Sequence, residues 1–154
     1  MNGTRTPKPR IWWNGKISQV SNYKNGSLDG LVLWYYKNGK VQCSGSYKKG
    51  DQDSIWNWYD ELGRKYLTRN FKEGKLDGDE THYDSTGTAQ MRITFEHDDI
   101  VSYTYLDKNS QFKPAIPIEN ETAKIKALYP NGTVSAEIEY EKGVIVGDFV
   151  QYYQ

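Results

Sequence analysis

Glycine returns at a fixed interval along this chain: Gly15, Gly39, Gly63 and Gly87 stand 24 residues apart, in the pairs Asn14-Gly15, Asn38-Gly39, Leu62-Gly63 and Thr86-Gly87. A second series keeps the interval. Tyr23-Lys24-Asn25-Gly26, Tyr47-Lys48-Lys49-Gly50 and Phe71-Lys72-Glu73-Gly74 each close a repeat, and Leu28-Asp29-Gly30 and Leu76-Asp77-Gly78 each open the next. A period of this length holds one small supersecondary unit, which buries its apolar face only by packing on its neighbours.

The flanks of the glycines alternate with period two, which predicts β-hairpins and no long helix. Asn-Gly between alternating runs supplies two positive φ angles, so a type I′ turn is expected at Asn38-Gly39. That turn sets Tyr36 opposite Val41, Trp34 opposite Cys43 and Val32 opposite Gly45, with Tyr47 following on the same face. The same rule around Asn131-Gly132 pairs Tyr129 with Val134, Ala127 with Ala136 and Ile125 with Ile138. On the reverse face Lys126 meets Glu137 and Lys124 meets Glu139, a pattern suited to a sheet wet on one side. Because a turn glycine needs positive φ, Gly39→Val is expected to be more damaging than Gly45→Ala, by a loss of about 1 to 3 kcal/mol.

Residues 1–10 carry two prolines and two arginines without alternation and read as a loose arm. Residues 11–154 read as one repeat domain of about six hairpins. The repeats run 11–30, 31–54, 55–78 and 79–101; drift then grows. Gln111 stands where a turn glycine is due, and 107–122 holds Pro114 and Pro117. A fifth repeat is therefore expected to keep its first strand, 101–106, and to replace its second arm with a loop. The last repeat, with strands 123–129 and 133–140 and a turn at Lys142-Gly143, is followed by an edge strand from Val146 to Tyr153. The expected fold class is all-β: an elongated, single-layer antiparallel sheet of tandem hairpins.

Hydrophobic residues make up only 36% of the chain, and thirteen of them are Tyr, which is thin for a deep core. Lys plus Arg and Asp plus Glu number 20 each, so no net field draws the chain to nucleic acid. Cys43, the single cysteine, excludes an intramolecular disulfide and a thiol-rich metal site, and its place on the apolar face predicts a buried side chain. No apolar run reaches the length of a membrane span, and Met1 to Arg10 lacks the apolar stretch of a signal peptide. The visible chain reads as cytoplasmic, or as periplasmic or secreted where a leader has been removed.

The pattern Trp34-Tyr35-Tyr36-Lys37-Asn38-Gly39-Lys40, followed by Gly45-Ser46-Tyr47-Lys48-Lys49-Gly50, resembles the variant MORN repeat. The resemblance covers 11–106 and 123–154. Whole chains of this kind are similar to the bacterial YwqK-type group of toxin–antitoxin antitoxins. The resemblance implies a hairpin sheet serving as a binding or scaffolding surface, in some members against lipid, and it brings no catalytic motif.

Independent chemistry is sparse. His82 shares its repeat position with Trp34 and Trp58, and no carboxylate or nucleophile stands near it at a recognisable catalytic spacing, so it is expected in the packed column. His97, in Glu96-His97-Asp98-Asp99, reads as part of a charged turn rather than a metal site. Asp29 and Asp77 precede glycines and fit turns. The Asn-x-Thr triplets at Asn2, Asn120 and Asn131 are glycan acceptors only in a eukaryotic secretory route. No phosphate-cradling loop or nucleophile elbow occurs, so no catalytic, metal or cofactor residue is assigned.

The aromatic residues carry the functional expectation. Trp34, Trp58 and His82, with Tyr47, Phe71 and Phe95, form one packed face. Tyr35, Tyr59 and Tyr83 recur with the opposite parity and are expected on the polar face, with Tyr66 across the hairpin from Tyr59. Such a row is either strand-forming cover for the backbone or flat, amphipathic contact area. A second candidate is the irregular loop 107–122, through Phe112, Ile116 and Ile118. The reading is a non-enzymatic binding protein with a protein partner, by resemblance a toxin. The rival is a glycan or cell-wall module using the exposed aromatics, and membrane contact has no support beyond the resemblance.

Overall fold

A computed structural model describes residues 6–120, 122–129, 131–142, 144–146 and 150–151. Met1 to Arg5, with the Asn2 triplet, Gly143 of the last turn, and Tyr152-Tyr153-Gln154 lie outside the described residues. The described secondary structure is β-strand, with no helix among the described residues. The chain divides into two compact units, Met1–Lys75 and Leu76–Gln154.

In the N-terminal unit, β1 (Thr6–Ile11), β2 (Ile17–Lys24), β3 (Ser27–Tyr35), β4 (Val41–Lys48), β5 (Asp51–Tyr59) and β6 (Lys65–Lys72) lie side by side in chain order, each antiparallel to the last. The expected loose arm is corrected here, since its residues from Thr6 onward form β1 along β2. Pro7 and Pro9 have the same parity, so both missing N–H groups fall on the free edge, where the ladder does not need them. The short β7 (Lys75–Leu76) spans the division between the units.

In the C-terminal unit, β8 (Gly78–Tyr83), β9 (Ala89–Glu96), β10 (Asp99–Tyr105) and β11 (Ile116–Pro117) form one antiparallel sheet. A second sheet holds β12 (Ala123–Leu128), β13 (Val134–Glu141) and β14 (Val144–Ile145), with β15 (Val150–Gln151) also on β13. The expected pairs Ile125 with Ile138, Ala127 with Ala136, Lys126 with Glu137 and Lys124 with Glu139 are all present. The Lys126 and Lys124 ammonium groups reach their partners at 2.5 and 3.0 Å.

The turns are of two kinds, and their assignment reverses the expectation at Asn38-Gly39. There the Gly39 N–H donates to the Tyr36 carbonyl and the Tyr36 N–H to the Lys40 carbonyl, and only Gly39, at φ 91°, is left-handed. This is a type I turn closed by a bulge, not a type I′ turn. The physical reason lies in Asn38, whose Oδ1 accepts the Lys40 N–H at 2.9 Å and holds the turn without a positive φ at Asn38. The same pair of backbone bonds closes the turns at Gly15, Gly63, Gly87 and Gly132. The two-residue turns with two positive φ angles are those of the second series: Asn25-Gly26, Lys49-Gly50, Glu73-Gly74 and, without glycine, His97-Asp98. Asp29 and Asp77 do not sit in turns; they precede Gly30 and Gly78, left-handed residues inside strands β3 and at the start of β8.

The degenerate fifth repeat keeps the first kind of turn. Ser110 takes the left-handed conformation at φ 59°, its N–H donates to the Asp107 carbonyl, and Asp107 Oδ1 accepts from the N–H groups of Asn109 and Gln111. The return arm is reduced to a bridge from Phe112 to Leu106 and to β11, but it still follows β10 through Lys113 N–H to the Tyr105 carbonyl and Ile118 N–H to the Val101 carbonyl.

The two units bury their apolar surface differently. In the N-terminal unit one sheet face carries Val32, Cys43 and Trp56, with Trp34, Tyr47, Trp58 and Phe71 packed against them. In the C-terminal unit Met91, Ile93, Phe95 and Ile100 of the first sheet pack with Ile125, Ala127, Ala136, Ile138 and Tyr140 of the second. The expected single layer describes the N-terminal unit; the C-terminal unit has two, because the aliphatic face of the last hairpin covers that of β8 to β10. Phe95 joins this core. His82 is buried too, with Nε2 2.6 Å from Glu80 Oε1. A carboxylate therefore does stand beside His82, two residues back on the same strand face, where strand parity rather than a sequence motif delivers it.

Gly45 has the more demanding position of the two glycines compared above. A Cβ built on it would lie 2.1 Å from the Trp56 ring, whereas one on Gly39 meets nothing within 4 Å. For the same change to alanine the order is therefore the opposite of a turn-first ranking: Gly45→Ala should lower unfolding free energy by about 3 kcal/mol through overpacking, and Gly39→Ala by about 1 kcal/mol through backbone strain. Urea melts of the two variants measure the difference, and equal midpoints would show that Trp56 does not lie over Gly45.

Candidate functional site: an aromatic cleft in the N-terminal unit

Strand register builds a concave site from a large–small–large row. Trp34 on β3 is paired with Cys43 on β4, which is paired in turn with Trp58 on β5. Two indoles thus flank a small side chain, and the gap between them is the cleft, of about 290 Å³. One step along, Val32 faces Gly45, and Trp56 occupies the space that glycine leaves. Trp56 is 2% exposed and forms the floor, with ring centroids 5.5 Å from Trp34 and 6.1 Å from Trp58, and Tyr47 and Phe71 edge-on at 5.2 and 5.9 Å. Its Nε1–H donates to the Ser46 carbonyl at 3.2 Å, which fixes the ring.

The rim comes from the bulges next to the turns. The ladder passes from Trp34–Cys43 to Tyr35–Val41 and from Trp58–Leu67 to Tyr59–Lys65, so Gln42 and Tyr66 are the extra residues of their hairpins, skipped by the pairing with β3 and β5. Both line the cleft, together with Gln52 and Tyr47. A bulge re-aims the extra residue, which accounts for their turning toward the tryptophans. The lining is neutral, and the Arg69 guanidinium carbon lies 5.5 Å from the centre of the Trp58 ring.

Burial shapes the titration of the lining groups. It pushes the Cys43 thiol up to about 12. It also raises the Tyr47 phenol, with Cys43 adding to the shift, and the Tyr66 phenol, with Tyr36 and Cys43 adding and Arg69 opposing. At neutral pH the cleft therefore presents flat ring faces, phenolic O–H groups and two side-chain amides. Such a surface can stack on a ligand and hydrogen-bond it. The lining offers no ionised nucleophile and no acid–base pair.

The candidate residues separate in space. Tyr35 and Tyr59 lie on the reverse face of the N-terminal sheet, half-buried, where Tyr59 lines a shallow depression with Leu33, Val41 and Ser44. Tyr66, 38% exposed, is not across the hairpin from Tyr59: the bulge carries it to the tryptophan face. Tyr83 belongs to the C-terminal unit, paired with Ala89. The loop residues do not form one patch, since Phe112 lies 4.3 Å from the Arg92 guanidinium, Ile116 pairs with Tyr103 on β10, and Ile118 packs against the core. Trp56, Gln42 and Gln52 also line the cleft and lie outside the candidates drawn from the sequence pattern. Trp56 has the parity of Trp58, which is a legible signal; the two glutamines have none.

Residues 28–49, the hairpin of β3 and β4 that supplies Trp34, Gln42, Cys43 and Tyr47, match the family model described as the MORN repeat variant. No curated protein matches the sequence. The matched hairpin is thus similar to a MORN repeat, a kind of repeat that is generally a non-catalytic binding module, and it stands in a run of consecutive antiparallel hairpins.

The thiol gives a direct readout of the packing. With its pKa raised to about 12, Cys43 in the folded protein should react with iodoacetamide at pH 8 more than about a hundredfold slower than in denaturant. Mass spectrometry over a time course measures the ratio, and comparable rates would mean that Cys43 is open to solvent.

Proposed function

We propose that this chain is a non-enzymatic binding protein whose recognition site is the aromatic cleft of the N-terminal unit, and that its partner is another protein. The observation that carries the reading is the floor and walls of Trp56, Trp34 and Trp58 with the rim of Tyr66, Gln42 and Gln52. Aromatic walls give a buried anchor point and the amides and phenols give orientation, the composition that dominates protein recognition sites. In its finer form the partner is a toxin, held inactive by occlusion, a reading supported by the resemblance of the repeat pattern alone. The reverse-face tyrosines Tyr35 and Tyr59 are the competing surface for the same role.

Rim substitutions test this without unfolding the sheet. Tyr66→Ser with Gln42→Ala should weaken a reconstituted complex with the captured partner by about tenfold or more, while Tyr35→Ser with Tyr59→Ser leaves it within about twofold. Titration calorimetry, checked by thermal melts, gives both numbers. The opposite pattern moves the site to the reverse face. A partner that is toxic when expressed alone and neutral in the complex supports the antitoxin form.

Stacked rings beside side-chain amides also suit sugar rings, whose C–H faces pack on indole and whose hydroxyls bond amides. Retention on insoluble polysaccharide, abolished by Tyr66→Ser with Gln42→Ala, together with failure to reconstitute any protein complex, replaces the protein reading with the glycan one.

A further inference from the structure

The first hairpin carries a second, independent surface. Before Asp29 the only charged side chains are Arg5, Lys8, Arg10, Lys16 and Lys24, all basic, while the chain as a whole carries equal numbers of each sign. The neutral total therefore conceals a basic start and an acidic remainder. The same hairpin exposes an apolar group: Trp13 is 88% exposed at the tip, and Ile11 and Ile17, paired across the two strands, are 63% and 45% exposed.

The tip is held in shape by its own backbone. The Gly15 N–H donates to the Trp12 carbonyl at 2.9 Å, and Asn14 Oδ1 accepts the Lys16 N–H at 3.1 Å, which sets Trp13 within a hydrogen-bonded turn. On β1, Lys8 and Arg10 are exposed, and the Lys8 ammonium lies 4.9 Å from the centre of the Tyr23 ring. The free edge of β1 lacks the N–H groups of Pro7 and Pro9, so it is a poor template for strand addition and recognition falls to side chains.

We infer that the β1–β2 hairpin is a docking surface for an acidic protein segment that receives Trp13 in an apolar pocket, with Lys8, Arg10 and Lys16 pairing its carboxylates. Charge complementarity selects the acidic partner, since no carboxylate of this hairpin competes for the cations. Trp13, framed by Asn14, Gly15 and Lys16 and backed by Ile11 and Ile17, has the anatomy of an anchor with a polar rim.

Fluorescence anisotropy tests the inference with a labelled peptide of glutamates flanking a Leu-Leu pair and with its glutamine counterpart. The acidic peptide should bind about tenfold or more tightly than the neutral one, and weaken as salt rises from about 0.05 to 0.5 M. Trp13→Ser, and separately Lys8→Gln with Arg10→Gln, should each reduce binding about tenfold or more, whereas Tyr66→Ser in the cleft should leave it unchanged. Trp13 is almost wholly exposed, so its loss leaves the fold intact, which a thermal melt checks. Equal binding of both peptides overturns the inference, as does binding unaffected by the hairpin variants. Two further results overturn it in favour of another occupant: Trp13-dependent binding to vesicles containing phosphatidylserine without peptide binding, and Trp13-dependent self-association in sedimentation.

Discussion

The contact between Trp56 and Gly45 is the one on which the N-terminal unit turns. A single sheet has no second layer to cover its apolar face, so coverage must come from side chains lying along the sheet rather than from a facing element. Trp56 does this by lying over a residue with no side chain, where it touches Trp34, Trp58, Tyr47 and Phe71 together. Because those rings spend their inner faces on Trp56, the outer parts of Trp34 and Trp58 are left half-exposed on either side of Cys43. Stability and the shape of the cleft are thus properties of one packing arrangement, and the cleft is what remains when indoles flank a thiol.

Turn chemistry places the rim. Two kinds of reversal alternate along the repeats: the kind held by an Asn or Asp side chain carries its bulge next to the turn, whereas hairpins of the other kind shift register farther along the strands. A bulge adds one residue to one strand, which re-aims that residue and moves the pairing beyond it by one position. Gln42 and Tyr66, one repeat apart, occupy this position and so enter the cleft. Where a glycine is missing, as at Ser110 or at His97-Asp98, the backbone still takes the left-handed conformation. At Ser110 the Asp107 carboxylate accepts two backbone N–H groups, which also holds its pKa below the usual range; those backbone bonds come first among the causes, ahead of Lys113.

The C-terminal unit solves the burial problem in the way more common for sheets. Its core side chains are mostly aliphatic, too narrow to cover a sheet face lying flat, and they bury one another by facing across two layers. Ile118 packs against this core as the shortened fifth repeat leads to β12, so the irregular stretch reads as a connection between layers more than as a recognition loop. The buried Glu80 occupies the repeat position of Trp56, which shows how far one strand position changes in content while keeping its burial, and His82, bonded to Glu80, takes the position of Trp58.

The sequence by itself determined the hairpins, their antiparallel order and most of the register, because a 24-residue recurrence of turn residues and period-two alternation are local signals that survive without tertiary context. It also determined which parity is apolar, and hence the faces of Trp34, Trp58, Tyr35 and Tyr59. Only the tertiary structure decided the rest. Whether Asn38 enters a type I or a type I′ turn depends on a side-chain hydrogen bond that composition does not reveal, and the facing of Tyr66 follows from that choice. That Gly45 is required by Trp56 depends on two strands meeting in one register. The second layer of the C-terminal unit depends on which apolar faces meet, a long-range packing decision to which a local repeat is blind.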